Sequence, residues 1–288
     1  MSSTRESVIS IVNLKRHFKV RIEGDTFSER FSSFFHPSYR TVKALDGINF
    51  SVYRGESIGY IGLNGAGKST TIKLLCGVLV PTAGEIRVFG REPHRNRTLN
   101  AGRIGLMMGQ RTQLLWDLPV KESFLLLGKI YALNPAEFKS NLEMLVEALD
   151  IAGLWDTPAR VLSLGQRMRC DLALTFIHNP EIVFLDEPTI GLDVFARDRI
   201  RQFLNIMRSR GTTVFLASHD LDDLDAVTDR VILLHKGQIV FDGPKEQLEA
   251  SLNDRIMPGP VQDTAVGPTQ KMTLEEMVKQ FYGSGGLS

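Results

Sequence analysis

Only two cysteines, Cys76 and Cys170, occur in the 288 residues, and they lie far apart in the chain. Two scattered thiols make no disulfide framework and fit a reducing compartment. Long apolar runs are missing too. The strongest candidates, such as FLLLG, are interrupted by charge within a few residues, well short of the roughly 20 that cross a bilayer. The opening MSSTRESVIS has no apolar core of signal-peptide length. The expectation is a chain soluble by itself, with any membrane work done by a separate partner chain. An excess of either charge is also lacking. The formal net charge is +1, so no overall basic field argues for nucleic acid. No internal repeat is visible.

What is present supports a sizeable core: 43% of residues are hydrophobic and 23% charged. SVISIVNLKRHFKV alternates like a strand. A polar, aromatic stretch follows, RIEGDTFSERFSSFFHPSYRTVK, and then ALDGINFSVYRGESIGYIG reads as two short strands. Further on, strands and helices alternate. GAGKSTTIKLLCGVL is helical, and EIRVFG and RIGLMMGQ are strands. EIVFLDEPT is a buried strand, ARDRIRQFLNIMRSRG a helix and TTVFLAS a strand. DLDDLDAVTD is a helix and RVILLHKGQIVFDG a hairpin. This order predicts an α/β fold with a mostly parallel sheet. At about residues 115–180 the apolar spacing is helical, which predicts an inserted α-helical subdomain. Its last helix, SLGQRMRCDLALTFIHNP, should end at Asn-Pro. Residues 246–288 read as a linker, IMPGPVQDTAVGPTQ, and a short helix, TLEEMVKQFYG.

GLNGAGKST, Gly62 to Thr70, follows the apolar strand SIGYI and precedes a helical run, the context a P-loop requires. Its glycines let backbone N–H groups curl around a β-phosphate. Lys68 can reach the β- and γ-phosphates, and Ser69 can ligate Mg²⁺ at a helix N-terminus. EIVFLDEPT supplies the complement. Its apolar strand delivers Asp186, suited to the Mg²⁺ shell, and Glu187, suited to act as general base on water. RVLSLGQRMRC holds a second helix start suited to phosphate, with Ser163 as a plausible N-cap.

Together these motifs resemble the ATP-binding-cassette (ABC) ATPases. Gly62–Thr70, including Asn64, Gly65, Ala66, Gly67, Lys68, Ser69 and Thr70, looks like Walker A. Leu162-Ser163-Leu164-Gly165-Gln166 looks like the signature motif, with Leu164 where glycine is usual. Ile182–Glu187 looks like Walker B with its carboxylate. Asp193 in Gly191-Leu192-Asp193 matches the D-loop, and His219 the switch histidine. Gln110 matches the Q-loop glutamine, with Gln113 as a rival. Phe18 stands where the adenine-stacking aromatic would fall, although an insertion separates it from the next strand. Finer features, GQRTQLLWDLPVKESF and LDEPTIGLD, resemble subunits paired with ABC-2-type exporter permeases.

The resemblance spans residues 8–245. It implies a P-loop NTPase core with an antiparallel β-subdomain and an inserted helical subdomain. It also implies that ATP and Mg²⁺ are bound, with Gln110 touching the metal alongside Ser69 and Asp186. Two cassettes, in a homodimer or a related heterodimer, would sandwich two ATP molecules head to tail. Ser163, Gly165 and Gln166 would then face the γ-phosphate on the partner cassette, and Asp193 would connect the two sites. Glu187, His219 and Gln110 would carry the hydrolysis. Such a subunit would sit at the cytoplasmic face of the membrane through permease subunits, with Trp116 near the docking region. The alternative is a mechanical or regulatory cassette not tied to transport. Long coiled coils and a second cassette, which mark the mechanical types, are lacking. In the insertion, Phe27, Phe31, Phe34 and Phe35 fall on one helix face, with Arg30 beside them and Arg40 just beyond. That face either packs on its own β-subdomain or docks on the membrane partner.

Overall fold

In a computed structural model of the chain, residues 6–21, 39–109, 111–248 and 251 are described. The aromatic face of Phe27 to Phe35, Gln110 and the expected C-terminal linker and helix lie outside the described residues. In chain order the principal elements are β1 (Ser7–Arg21), β2 (Tyr39–Tyr53), β3 (Ser57–Ile61), α1 (Lys68–Leu75), β4 (Ala83–Val88) and α2 (Arg97–Ala101). Next come β5 (Ile104–Met108), α3 (Val120–Ile130), α4 (Pro135–Ala148), α5 (Leu164–Phe176) and β6 (Ile182–Asp186). The last are α6 (Val194–Ser209), β7 (Thr213–Ser218), α7 (Leu221–Val227), β8 (Arg230–His235) and β9 (Gln238–Pro244).

Two sheets result. One is antiparallel, in the order β2-β1-β4; the other has six strands in the order β5-β6-β7-β3-β8-β9. Within the larger sheet every neighbouring pair is parallel except β8 with β9. The strands β3, β6 and β7 are buried at every position. A parallel strand covered on both faces must be apolar throughout, which is why SIGYI, IVFLD and TVFLAS lack alternation. The two faces separate by the strand period of two. Val183 and Leu185 of β6 join a cluster with Leu172 and Phe176 of α5 and Phe203 of α6. Ile182 and Phe184 face the other way, onto Ile72 and Leu75 of α1 and Ile9 and Ile11 of β1. Aromatic packing fastens the small sheet to the large one: the Phe215 ring of β7 lies 5.0 Å from Tyr60 and 6.2 Å from Phe50. Phe124 of α3 and Leu145 of α4 belong to the same cluster as Val183. The helical insertion therefore shares its core with the sheet.

Two boundaries differ from the sequence reading. The strand ending in NFSVY begins at Tyr39, because residues 39–45 keep pairing with β1 as far as Arg21 opposite Tyr39. The strand partner, not local composition, sets that length. Helix α5 stops at Phe176, short of Asn179-Pro180. His178 turns inward to the carbonyl of Ile104 at 3.0 Å, and Asn179 takes φ 52°, a left-handed value that ends a helix.

Candidate functional site

The loop from Gly62 to Gly67 joins buried β3 to α1 at the end of the parallel sheet where its strands finish. Gly67 precedes α1 with φ 117°, and no side chain caps the helix. The first N–H groups of α1 are therefore left for a ligand, and they carry the positive end of the helix dipole. A cavity of about 230 Å³ lies over them, bordered by Asn64, Gly65, Lys68, Ser69 and Thr70, with Asp186 and Glu187 opposite. Ala66 is buried and does not border this cavity. A Cβ on Gly67 would stand 2.6 Å from the carbonyl oxygen of Ala44. Gly67→Ala should therefore distort the loop by about 1–3 kcal/mol, weakening ATP binding about 10- to 100-fold. Equilibrium binding of a fluorescent ATP analogue checks this, and unchanged affinity in a folded variant rules it out.

Lys68 is almost fully buried. Its ammonium donates to the Gly62 carbonyl at 2.5 Å and lies 3.4 Å from Glu187 Oε1. Glu187 has φ 54°, a strained value for a residue with a side chain. Its N–H is held by the Ala217 carbonyl at 2.8 Å, which fixes this turn at the end of β6. The other carboxylate oxygen meets His219 Nδ1 at 2.8 Å. The carboxylate is thus shared between the lysine of one loop and the histidine of another. Asp186, the last residue of β6, borders the same cavity. Burial raises its carboxyl above the ordinary value; a hydrogen bond from Ser69 opposes the shift and the Glu187 charge adds to it. Asp186 Oδ1 is buried without a hydrogen-bond partner among the described residues. A buried, unsatisfied carboxylate oxygen beside a hydroxyl is a fitting pair of hard oxygen donors for Mg²⁺.

The second helix start forms a separate cavity. Ser163 caps α5 in a reciprocal box: its Oγ accepts from Gln166 N at 3.2 Å, while Gln166 Oε1 accepts from Ser163 N at 2.9 Å. The Ser163 hydroxyl proton remains free to donate. Asp193 caps α6 by accepting from Ala196 N at 2.9 Å, and Gly165 packs so near that a Cβ there would lie 3.1 Å from Ala196 Cβ. Ser163, Gly165, Gln166 and Asp193 border one cavity of about 330 Å³, with Arg169 and Arg199. None of these residues borders the Lys68 cavity.

The remaining candidates sit elsewhere. Phe18 lies on β1 opposite Val42 and outside the border of the Lys68 cavity, with the Arg16 guanidinium 4.5 Å above its ring. Gln113, the rival to Gln110, points away: its amide donates to Leu106 O and to Thr175 Oγ1. Gly109, beside Gln110 in sequence, does border the Lys68 cavity. Trp116 is half-exposed, with Arg167 over its ring at 5.3 Å.

One residue of evident consequence was not foreseen. Asp171 of α5 accepts from Gln113 N at 2.7 Å and from Thr112 Oγ1 at 3.0 Å, tying the loop after residue 110 to the Ser163 helix. Its signal in the sequence is a carboxylate between Cys170 and Leu172, both buried. Burial pushes its carboxyl up to about 6, against these hydrogen bonds. A raised acid costs stability while ionised, and the cost disappears as pH falls through the folded value. Between about pH 7 and 5 the wild type should therefore gain thermal stability relative to Asp171→Asn. Parallel melting midpoints across that range in both proteins would count against the buried ionised state.

Comparison with known proteins adds a third line. The family model described as ABC transporter matches residues 45–190. The ABC transporter ATP-binding protein NatA of Bacillus subtilis (strain 168) is 30% identical over 217 residues, which cover 75% of this chain and 88% of NatA. The daunorubicin resistance ATP-binding protein DrrA3 of Streptomyces coeruleorubidus is 36% identical over 219 residues, covering 76% of this chain and 69% of DrrA3. Among solved structures, the dimeric post-hydrolysis state of the ATP-binding cassette MJ0796 bound to ADP and Pi aligns with a TM-score of 0.67. The alignment has 22% identity and covers 82% of this chain and 98% of that one, a likeness of fold.

Proposed function

Because this chain belongs to the ABC transporter family as an ATP-binding, ATP-hydrolysing subunit, we propose how its own residues perform that work. Among the described residues no helix is long and apolar enough to cross a membrane. In this reading translocation falls to separate permease subunits; the name of the daunorubicin-resistance relative supports export, and the motifs GQRTQLLWDLPVKESF and LDEPTIGLD suit permeases of the ABC-2 type. The half-exposed Trp116 on the helical insertion suits the docking region for such a partner, and the subunit works at the cytoplasmic face.

ATP binds with its phosphates over the start of α1, where free N–H groups and Lys68 receive them. Phe18 on β1 is the candidate for adenine stacking. Ser69 and Asp186, with Gln110, would hold Mg²⁺, which when bound neutralises charge on the β- and γ-phosphoryl oxygens. Lys68 turns from Glu187 to the phosphates, and the freed carboxylate takes a proton from the attacking water. His219, already in contact with Glu187, holds the γ-phosphate and that water.

One observation carries the dimeric part of this reading. The Ser163 cavity and the Lys68 cavity are bordered by different residues, which supports reading each as half of a phosphate site. A second cassette, turned head to tail, completes both. The dimeric state of the MJ0796 cassette with ADP and Pi supports pairing of two cassettes. ADP lacks the γ-phosphate that Ser163 would bind, so hydrolysis removes the contact that favours the closed pair. The test is ATP hydrolysis by the full chain with Mg²⁺ at increasing protein concentration. The rate per chain should rise with concentration and vanish on chelation. A rate per chain independent of concentration down to dilute protein would argue for a self-sufficient monomer.

A further inference from the structure

Helix α6 is tied to both loops that carry the reacting side chains, through groups the steps above leave unused. Its first turn is closed by Asp193. One turn further, Arg197 Nη1 donates to Asp220 Oδ2 at 2.9 Å. Asp220 directly follows His219. The other Asp220 oxygen accepts from Asp222 N at 3.0 Å and caps α7, while the Asp220 N–H donates to Ser218 Oγ at 3.0 Å. Each of these bonds constrains the backbone on either side of His219. A second tie lies deeper. Arg201 Nε donates to the buried Asp223 at 2.7 Å, and Thr189, two residues beyond Glu187, donates to the same carboxylate.

The two ties differ in kind. Asp223 is fully buried, so its partners are needed merely to keep a charge there. The Arg197–Asp220 pair is about 30% exposed on both sides, and breaking a partly solvated ion pair costs less stability than breaking a buried one. What that pair does fix is geometry. It sets the distance between the start of α6, where Asp193 borders the Ser163 cavity, and the turn of His219, which contacts Glu187 at the border of the Lys68 cavity.

Resting on the reading of Glu187 and His219 given above, we propose that Arg197 is a positioning residue. Through Asp220 it holds the His219 turn in register with the Asp193 end of α6. Displacement of that end by a partner cassette is thereby carried to the histidine within the same chain.

The test is a double-mutant cycle in the full-length chain, with Arg197→Met, Asp220→Asn and both together. Asparagine keeps a side-chain oxygen able to cap α7, so Asp220→Asn removes the charge with the helix start intact. Arg197→Met should lower kcat about 10- to 100-fold while KM for ATP and the melting midpoint stay near wild type. Arg197→Lys should recover part of the loss. The double variant should fall no further than the worse single variant, as expected for two groups acting as one unit. Wild-type kcat in Arg197→Met, or a double variant whose loss is the product of the single losses, overturns the proposal. Glu187→Gln and His219→Ala, run in the same assay, separate it from its premise. If they keep turnover, the catalytic reading fails; if they lose it while Arg197→Met does not, only the positioning role fails.

Discussion

Glu187→Gln is expected to lower ATP hydrolysis about 10²- to 10⁴-fold, the range for removal of a general base, while ATP binding persists. The geometry explains why the effects divide. The Glu187 side chain is held at the far side of the cavity from the loop that receives phosphate, between Lys68 and His219. Glutamine fits the same space and can still accept from His219, but it takes no proton from water. It also removes the negative charge that draws Lys68 inward, so the lysine is released toward phosphate and affinity for ATP should not fall. Single-turnover hydrolysis and equilibrium binding together measure both halves. Turnover near wild type would remove Glu187 from the chemistry and leave its strained backbone at φ 54° without a function.

Ser163→Arg carries the second large effect. The substitution removes a donor from the start of α5 and fills the cavity that Ser163 shares with Gly165 and Asp193. If that cavity receives the partner's γ-phosphate, turnover should drop about 10²- to 10³-fold, the cost of losing one oriented donor at a reacting centre. ATP binding to the isolated chain should stay largely intact, since the Lys68 cavity shares no bordering residue with this one. Loss of the helix cap costs about 1 kcal/mol, too little to unfold the chain, and circular dichroism checks this. Sedimentation in the presence of ATP distinguishes the failed association directly. Lost nucleotide binding by a folded monomer would mean that Ser163 serves its own chain's nucleotide.

How far the sequence exposes this site depends on whether a residue's partner is near in the chain. Gly62 to Thr70 is legible because glycine positions, a buried strand before and a helix after are all local requirements of one turn. Asp186 and Glu187 are legible for the same reason: the apolar run ends and two carboxylates follow. The β1–β2 pairing out to Arg21 and Tyr39 is not, since β2 owes its length to a partner across the polar stretch that separates them. Arg197 is hidden for a similar reason: it lies on a helix face that looks like any amphipathic surface until the loop that meets it is known. Asp171 leaves a trace, a carboxylate in an apolar run, but its partners Thr112 and Gln113 lie 59 and 58 residues away. The rivalry of Gln110 and Gln113 likewise needs space: only the structure sends the Gln113 amide to Leu106 and Thr175.

The reciprocal box at Ser163 and Gln166 has a consequence for the speed of the cycle. The first turn of α5 is already closed, so no residue there has to fold when a second cassette arrives. The entropic cost of pairing then lies mainly in the lost translation and rotation of two bodies. Anchoring both bodies to one membrane assembly raises their effective concentration to the millimolar range typical of short linkages. If the Ser163 cavity receives the partner's γ-phosphate, a weak contact dependent on that single group would suffice for capture. Being weak, it would let the pair separate quickly once the group has been cleaved, so that the engine avoids stalling in its closed form.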